Sequence, residues 1–161
     1  MLALEMIELR TADAGDIPRV FAWRNDPWIV RLSSSQREVT WEEHRAWFEA
    51  ALQDPARLIL IVEKEREPIG LVRFDRLENS CVITVYLLAA STGQGFGLEA
   101  IRRGSGRALA RWPEIEEVVA CVREENAPGR SVFAKAGFVA QTPDHRCPAG
   151  HAMFILHRPH E

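Results

Sequence analysis

The alternation of apolar and polar positions changes period along the chain, and each change predicts an element. Residues 6–10 alternate as a short half-buried strand does. Ile17, Val20, Phe21 and Trp23 then recur at helical spacing, with Thr11 or Asp13 placed to cap the first turn. Arg24-Asn25-Asp26-Pro27 ends that helix, because the residue before a proline avoids helical torsions. Residues 28–37 keep no period and predict an irregular stretch. Thr40 and Glu43 have the spacing of a capping box, which opens a second helix through Trp47, Phe48, Ala51 and Leu52.

Strands follow. Residues 58–63 are a compact apolar run, residues 64–68 a charged hairpin turn, and residues 69–75 alternate. Asn79-Ser80 turns the chain into residues 81–88, which are rich in β-branched and aromatic side chains and too few to span a membrane. Residues 89–92 leave the sheet. Gly93-Gln94-Gly95-Phe96-Gly97 then leads into a helix marked by Leu98, Ile101, Arg102 and Leu109. Trp112-Pro113 breaks that pattern, residues 118–122 read as the next strand, and residues 126–136 as a short helix closed by Gly137. Phe138 begins another strand, residues 143–150 form a loop, and residues 151–157 a final strand. No internal repeat, linker or low-complexity segment interrupts this order.

Composition narrows the class. At 161 residues the chain suits one domain, 1–161, whose core needs no staples. Apolar residues at 47% and charged residues at 27% match a globular protein and exclude disorder. A net charge of -3 without a dense Lys/Arg run argues against nucleic acid as the main partner. Cys81, Cys121 and Cys147 are odd in number, and the first two fall in predicted buried strands, so reduced thiols are expected and not a disulfide frame. Glu5 and Glu8 spoil any secretory signal, and no apolar run reaches membrane length, which predicts a soluble cytoplasmic protein.

The glycine turn carries the first chemistry. Three glycines at alternate positions let backbone N–H groups approach a ligand, and the following helix adds unpaired N–H groups and a dipole that favours an anion. Strand, turn and helix N-terminus together read as a pyrophosphate cradle. A dinucleotide fingerprint would need glycine at Leu98, and a nucleotide-triphosphatase loop would need Gly-Lys before Ser or Thr, so neither fits. What remains resembles motif A of the GNAT superfamily of N-acetyltransferases, Gln/Arg-x-x-Gly-x-Gly/Ala, laid on residues 92–97 with Thr92 in the first position. Residues 122–138 look like the GNAT segment after the fifth strand: Asn126, Lys135, Gly137 and Phe138 match, whereas Gly129 replaces a common serine and Phe133 a common tyrosine. A narrower resemblance lies in Trp23-Arg24-Asn25-Asp26-Pro27, Val30-Arg31, Ser33-Ser34, Glu43-His44, Trp47-Phe48 and residues 70–75, which are similar to the amino-sugar branch that includes acetyltransferases of pseudaminic-acid pathways. That branch lies close to ribosomal-protein N-terminal acetyltransferases.

The resemblance implies an α/β (α+β) GNAT fold: a mixed, mostly antiparallel sheet of about seven strands, splayed between the fourth and fifth, with about four helices. It implies acetyl-CoA as co-substrate, no metal, and a small primary amine as acceptor, with a UDP-linked amino sugar preferred. The oligomer would be a monomer or homodimer. Protein N-terminal acetylation and a non-catalytic acyl-CoA-binding module are the alternatives. By resemblance, backbone groups of Leu87 and Leu88 hold the pantetheine arm, and an N–H at Leu88 serves as oxyanion donor. Thr92, Gly93, Gln94, Gly95, Phe96, Gly97 and Leu98 take the pyrophosphate, while Asn126 and Phe133 flank the arm. Arg24, Asn25, Arg31, His44, Trp47, Arg73 and Thr84 are the acceptor-side expectations.

General acid and base are open at this stage. Many relatives carry a glutamate where Val82 stands, and Phe133 lacks a phenol. Tyr86, the one tyrosine of the chain, is a candidate proton donor, although a half-buried strand aromatic explains it as well. His44 lies between two tryptophans on a helix, where packing competes with a role as base. Arg73 and Asp75 share a strand face and can simply pair; Trp28 can stack on a base or cover the core. His145, Cys147 and His151 lie near one loop without a second ligand pair, so zinc is not expected.

Overall fold

The computed structural model describes residues 7–33 and 35–160, so Glu5, Met6 and Ser34 lie outside the described residues. The strands are β1 (Ile7–Thr11), β2 (Arg57–Lys64), β3 (Glu67–Leu77), β4 (Ser80–Leu87), β5 (Glu117–Arg123), β6 (Val139–Gln141) and β7 (His151–His157). The helices are α1 (Ile17–Arg24), α2 (Pro27–Leu32), α3 (Trp41–Gln53), α4 (Phe96–Arg111) and α5 (Ala127–Lys135). The sheet has seven strands in the order β1-β2-β3-β4-β5-β7-β6. Every pairing is antiparallel except β4 with β5, which α4 connects by a crossover.

One expectation fails at the end of α1. Residues 28–37 are not all irregular, because Asp26 caps α2, its carboxylate accepting from the Trp28 N–H at 2.9 Å, with Pro27 at the first helical position. The proline that ends one helix pre-sets the backbone of the next. The described residues therefore hold five α-helices, not about four. Thr40 and Glu43 form the capping box their spacing predicts on α3, and of the two caps offered ahead of α1 it is Asp13 that caps, in a box with Asp16.

Two apolar clusters sandwich the sheet. On one side α4 lies across β1 to β4, and Phe96, Ile101 and Ala108 pack on Leu60, Val72 and Phe74. On the other, α1, α2 and α3 bury Ile17, Val20, Ile29 and Phe48 against Ile59, Ile61 and Leu71. The Arg158 guanidinium fastens the end of α4 by donating to the carbonyls of Leu109, Trp112 and Ile115. Gly70 lets β3 approach β4 closely, since a Cβ there would lie 2.4 Å from the Tyr86 carbonyl oxygen.

The thiol expectation also needs correction. Cys81 is buried and free, and burial pushes its thiol up to about 12. Cys121 and Cys147, however, form a disulfide with Cα atoms 5.4 Å apart. Cys121 projects from β5 on the face opposite Ala120 and Val122, and the loop between β6 and β7 folds back over that face through Val119, Met153 and Ile155. A loop crossing a strand at side-chain range is a tertiary fact, invisible in a spacing of 26 residues. No helix among the described residues is long and apolar enough to cross a membrane.

Candidate active site

The glycine turn is a row of unpartnered donors. The Thr92 N–H donates to the Ala89 carbonyl at 3.3 Å, and the Glu99 N–H begins the helical pattern by donating to the Gly95 carbonyl at 3.2 Å. Between them, no backbone N–H of residues 93–98 has a protein acceptor among the described residues. Gly93 and Gly95 hold φ at 76° and 85°, left-handed values that turn successive N–H groups the same way and that other residues adopt only with strain. The turn is stiffened from within: the Thr92 hydroxyl donates to the Ala89 carbonyl and the Gln94 amide to that of Ala90. The Phe96 ring points into the core, so this residue and Gln94 contribute backbone alone. Such a cluster at the N-terminus of a 16-residue helix fits a pyrophosphate.

Next to the turn the sheet comes apart. The parallel register of β4 and β5 runs from Ser80 opposite Glu117 to Ile83 opposite Ala120 and then stops, although both strands continue. A cleft of about 1150 Å³ opens there, walled by Thr84, Tyr86 and Leu87 on one side and Cys121, Val122 and Arg123 on the other. The expectation for Leu88 is corrected here. Its N–H donates to the Ile69 carbonyl at 2.9 Å and is spent on holding β3 to β4. Alternation along an antiparallel strand turns the Leu87 N–H the other way, into the gap. Leu87 also lines the cleft, whereas Leu88 does not.

Asn126 and Phe133 both reach the cleft from α5. The Asn126 side-chain Oδ1 accepts from the Gly129 N–H at 3.0 Å and caps the helix, so its side-chain NH₂ remains to donate. The glycine at 129 has a local reason, since a Cβ there would stand 2.6 Å from the Asn126 nitrogen. Phe133 packs edge-on to Phe138 with centroids 5.1 Å apart, and it offers surface but no proton.

The far end of the cleft is built from side chains on α1, α3, β3 and the α2–α3 loop. Arg24 donates to the Arg37 carbonyl at 3.1 Å and to the Ser35 hydroxyl at 2.8 Å, and no carboxylate pairs with it among the described residues. Burial and the charges of Arg37 and Arg73 hold its pKa below the usual arginine value. Arg73 sits 4.7 Å from the centroid of the Trp47 ring and donates to Asp75, while Arg57 approaches the same ring at 5.4 Å and the same carboxylate at 2.6 Å. Asp75 is thus paired with two guanidinium groups. The His44 Nε2 lies 2.9 Å from the Ile17 carbonyl, and burial lowers the ring's pKa, so His44 packs as a neutral ring while still lining the cleft. Thr84 lines it from β4.

Two acceptor-side expectations are not met. Asn25 spends its amide on the Val39 backbone in both directions, at 2.9 and 2.8 Å, and fixes the loop ahead of α3. Arg31 lies over Trp28 at 5.5 Å and does not line the cleft, whereas Trp28 does. Arg37 was missed, because it falls in the stretch without hydrophobic period. Among the described residues no group of acids, histidines and cysteines could hold a metal, and Cys147 is committed to its disulfide.

A backbone anion cradle leads into a gap between two parallel strands, a site shaped for a phosphate-bearing ligand with a long arm. The sequence matches the acetyltransferase (GNAT) domain family over residues 7–139, and the chain belongs to that family. It is an acetyltransferase that uses acetyl-CoA. No curated protein sequence matches it significantly. Its fold is similar to that of the ribosomal L7/L12 alpha-N-protein acetyltransferase RimL, solved with coenzyme A in disulfide linkage to one of that protein's cysteines (TM-score 0.79, 18% identity, 94% of each chain covered). It is also similar to the aminoglycoside acetyltransferase AAC(6')-Ib with coenzyme A and kanamycin (TM-score 0.79, 20% identity, 94% of this chain and 95% of that one). A domain from Methanocaldococcus jannaschii matches at TM-score 0.80 with 19% identity, covering 94% of this chain and 98% of that one.

Proposed function

We propose that the acceptor is a primary amine on a nucleotide-linked amino sugar, acetylated in the cytoplasm. The observation that carries this reading is Arg24, a half-buried guanidinium at the acceptor end with two further arginines near it and no carboxylate of its own. An isolated cation in a low-dielectric cleft is costly unless a ligand brings the opposite charge. A diphosphate does so, with the bidentate geometry guanidinium favours. Trp28 lines the same end and offers a planar base an aromatic ring to pack against. A polycationic aminoglycoside meets repulsion in such a place.

In this reading the arm of acetyl-CoA lies in the gap beyond Ile83, its diphosphate on residues 93–98, and the Asn126 amide donates to it. The Leu87 N–H polarises the thioester carbonyl. With Val82 at the usual glutamate position, the amine enters neutral or loses its proton to water, and alignment supplies several kcal/mol of the barrier reduction. The test is coenzyme A thiol release from acetyl-CoA with a panel of amines. A UDP-linked 4-amino sugar should turn over at a kcat/KM at least about tenfold above kanamycin or an N-terminal serine peptide. Preference for the peptide would install the ribosomal-protein type of activity instead, and absence of thiol release with every amine, despite acetyl-CoA binding, would leave a binding module.

A further inference from the structure

We propose that Asn25 is a positioning residue for acceptor binding, clamping the segment between α2 and α3, residues 35–40, at the acceptor end of the cleft without touching the acceptor itself. The inference rests on the reading that the acceptor's charged group lies beside Arg24 and Arg37. Ser35, Arg37 and Val39 line the cleft from this segment, whereas Asn25 does not line it.

Packing does not hold the segment. Residues 35–38 are exposed and Val39 is only half-buried. Gln36 holds φ at 52°, a left-handed value that a residue with a Cβ keeps only where its surroundings impose it. The constraints are therefore polar. The Gln36 N–H donates to the Ser33 hydroxyl at 3.1 Å, and its side-chain amide donates to the Arg31 carbonyl at 3.0 Å, which shapes the turn from within. An exposed ion pair of Arg37 with Glu43 at 3.7 Å adds little. The ties to the body of the domain come from two adjacent residues at the end of α1. Arg24 donates to the Ser35 hydroxyl and the Arg37 carbonyl, and Asn25 exchanges two hydrogen bonds with the Val39 backbone.

These two ties differ in kind. Arg24 reaches the segment with the same guanidinium that an acceptor's negative charge engages, so its grip is shared with substrate. Asn25 has no second duty. Its Nδ2 donates to the Val39 carbonyl at 2.9 Å and its Oδ1 accepts from the Val39 N–H at 2.8 Å, the reciprocal pairing that a neighbouring strand would make. Such a pair fixes distance and direction together, two residues from Arg37. While it holds, Arg24 and Arg37 keep an arrangement that one ligand can meet. Once it is lost, only the fraction of molecules with Arg37 in place binds acceptor, and the apparent KM rises by the inverse of that fraction. The coenzyme cradle at residues 93–98 is built on other elements and is left alone.

The experiment removes both bonds with Asn25→Ala and reads the segment and the acceptor separately. Trypsin can cut after Arg37 and after Arg66, both exposed and each followed by glutamate. Cleavage after Arg37 should be at least about fivefold faster in Asn25→Ala, because two hydrogen bonds no longer oppose opening. Cleavage after Arg66, in the turn between β2 and β3, should match the parent. In the thiol-release assay, KM for the UDP-linked 4-amino sugar should rise at least about fivefold, with kcat within about twofold and acetyl-CoA affinity unchanged by calorimetry. Unchanged acetyl-CoA binding also shows that the variant is folded. A residue that merely stabilises the fold would speed cutting at both sites alike, and that result overturns the proposal. So does an unchanged KM when cleavage at Arg37 has accelerated. The protease comparison needs no acceptor. If another amine proves to be the substrate, the amino-sugar reading fails by itself and the KM of that amine decides for Asn25, whereas absence of turnover with every amine removes both.

Discussion

The two ends of the cleft are made of different material. The coenzyme end is backbone: six consecutive N–H groups over residues 93–98, and strand edges left unpaired beyond Ile83. The acceptor end is side chain: Arg24 from α1, Arg37 from a loop, Trp47 from α3 and Arg73 from β3. Backbone recognition asks only for chain direction and small residues, which a local motif fixes. Side-chain recognition depends on which remote elements pack together, and it can be rebuilt without disturbing the cradle. That difference explains how a similar fold serves both a ribosomal-protein acetyltransferase and an aminoglycoside acetyltransferase.

The sharpest way to break the contrast is to remove one backbone donor. In Gly97→Pro the N–H is lost at the second residue of α4, a first-turn position where proline is tolerated. A charge-assisted hydrogen bond is worth about 1.5–3 kcal/mol, so acetyl-CoA affinity should fall about ten- to hundredfold with the fold intact. Gly97→Ala keeps the N–H, and its new Cβ would meet only Leu87 Cδ1 at 3.7 Å, an ordinary contact. Calorimetry on both should show the loss in the proline variant alone. Equal affinities would mean that side chains hold the diphosphate, and the comparison would collapse.

The same division governs what the sequence made legible. The glycine turn, the cap at Asp13, the capping box on Thr40 and the final strand at residues 151–157 are local patterns, and each stands where the sequence allowed it. Asp26-Pro27 was read as a stop when it is also a start. Asn25 and Arg31 belong to a recognisable string with Arg24, yet only Arg24 faces the cleft. A string gives the residues and not their directions. The Cys121–Cys147 bond, the Leu88 N–H turned to Ile69, and the Trp47 ring beneath two guanidinium groups all depend on register or on crossing segments. No hydrophobic period reports those.

An intermediate effect is expected at the acceptor end. Arg24→Gln removes the cation that has no carboxylate. With a nucleotide-linked acceptor, KM for that substrate should rise by about tenfold or more, kcat should change a few-fold, and acetyl-CoA affinity should hold. Arg31→Gln, at a residue of the same string outside the cleft, is the control and should leave every constant near the parent value. Matching losses in the two variants would show that the helix, and not the cleft charge, sets acceptor binding.

The smallest change concerns Tyr86, where the two ends meet. A tyrosine that protonates the departing thiolate supplies about 10²–10⁴ in rate. Here the ring stands edge-on to Trp23 with centroids 6.4 Å apart, and its hydroxyl has no hydrogen-bond partner among the described residues. Burial pushes its pKa well above the usual phenol value, outweighing the opposite pull of Arg73 and Arg24. A free thiol ionises near 8.5, so proton transfer from Tyr86 to the thiolate runs uphill. Phe133 offers no proton, and water entering the open cleft is the better donor. Tyr86→Phe keeps the ring and its packing, so turnover should stay within about threefold of the parent at neutral pH, with acetyl-CoA affinity unchanged. A hundredfold loss of kcat in a folded Tyr86→Phe protein, measured by thiol release, would instead place the acid on β4 and make the junction of the two ends a catalytic side chain.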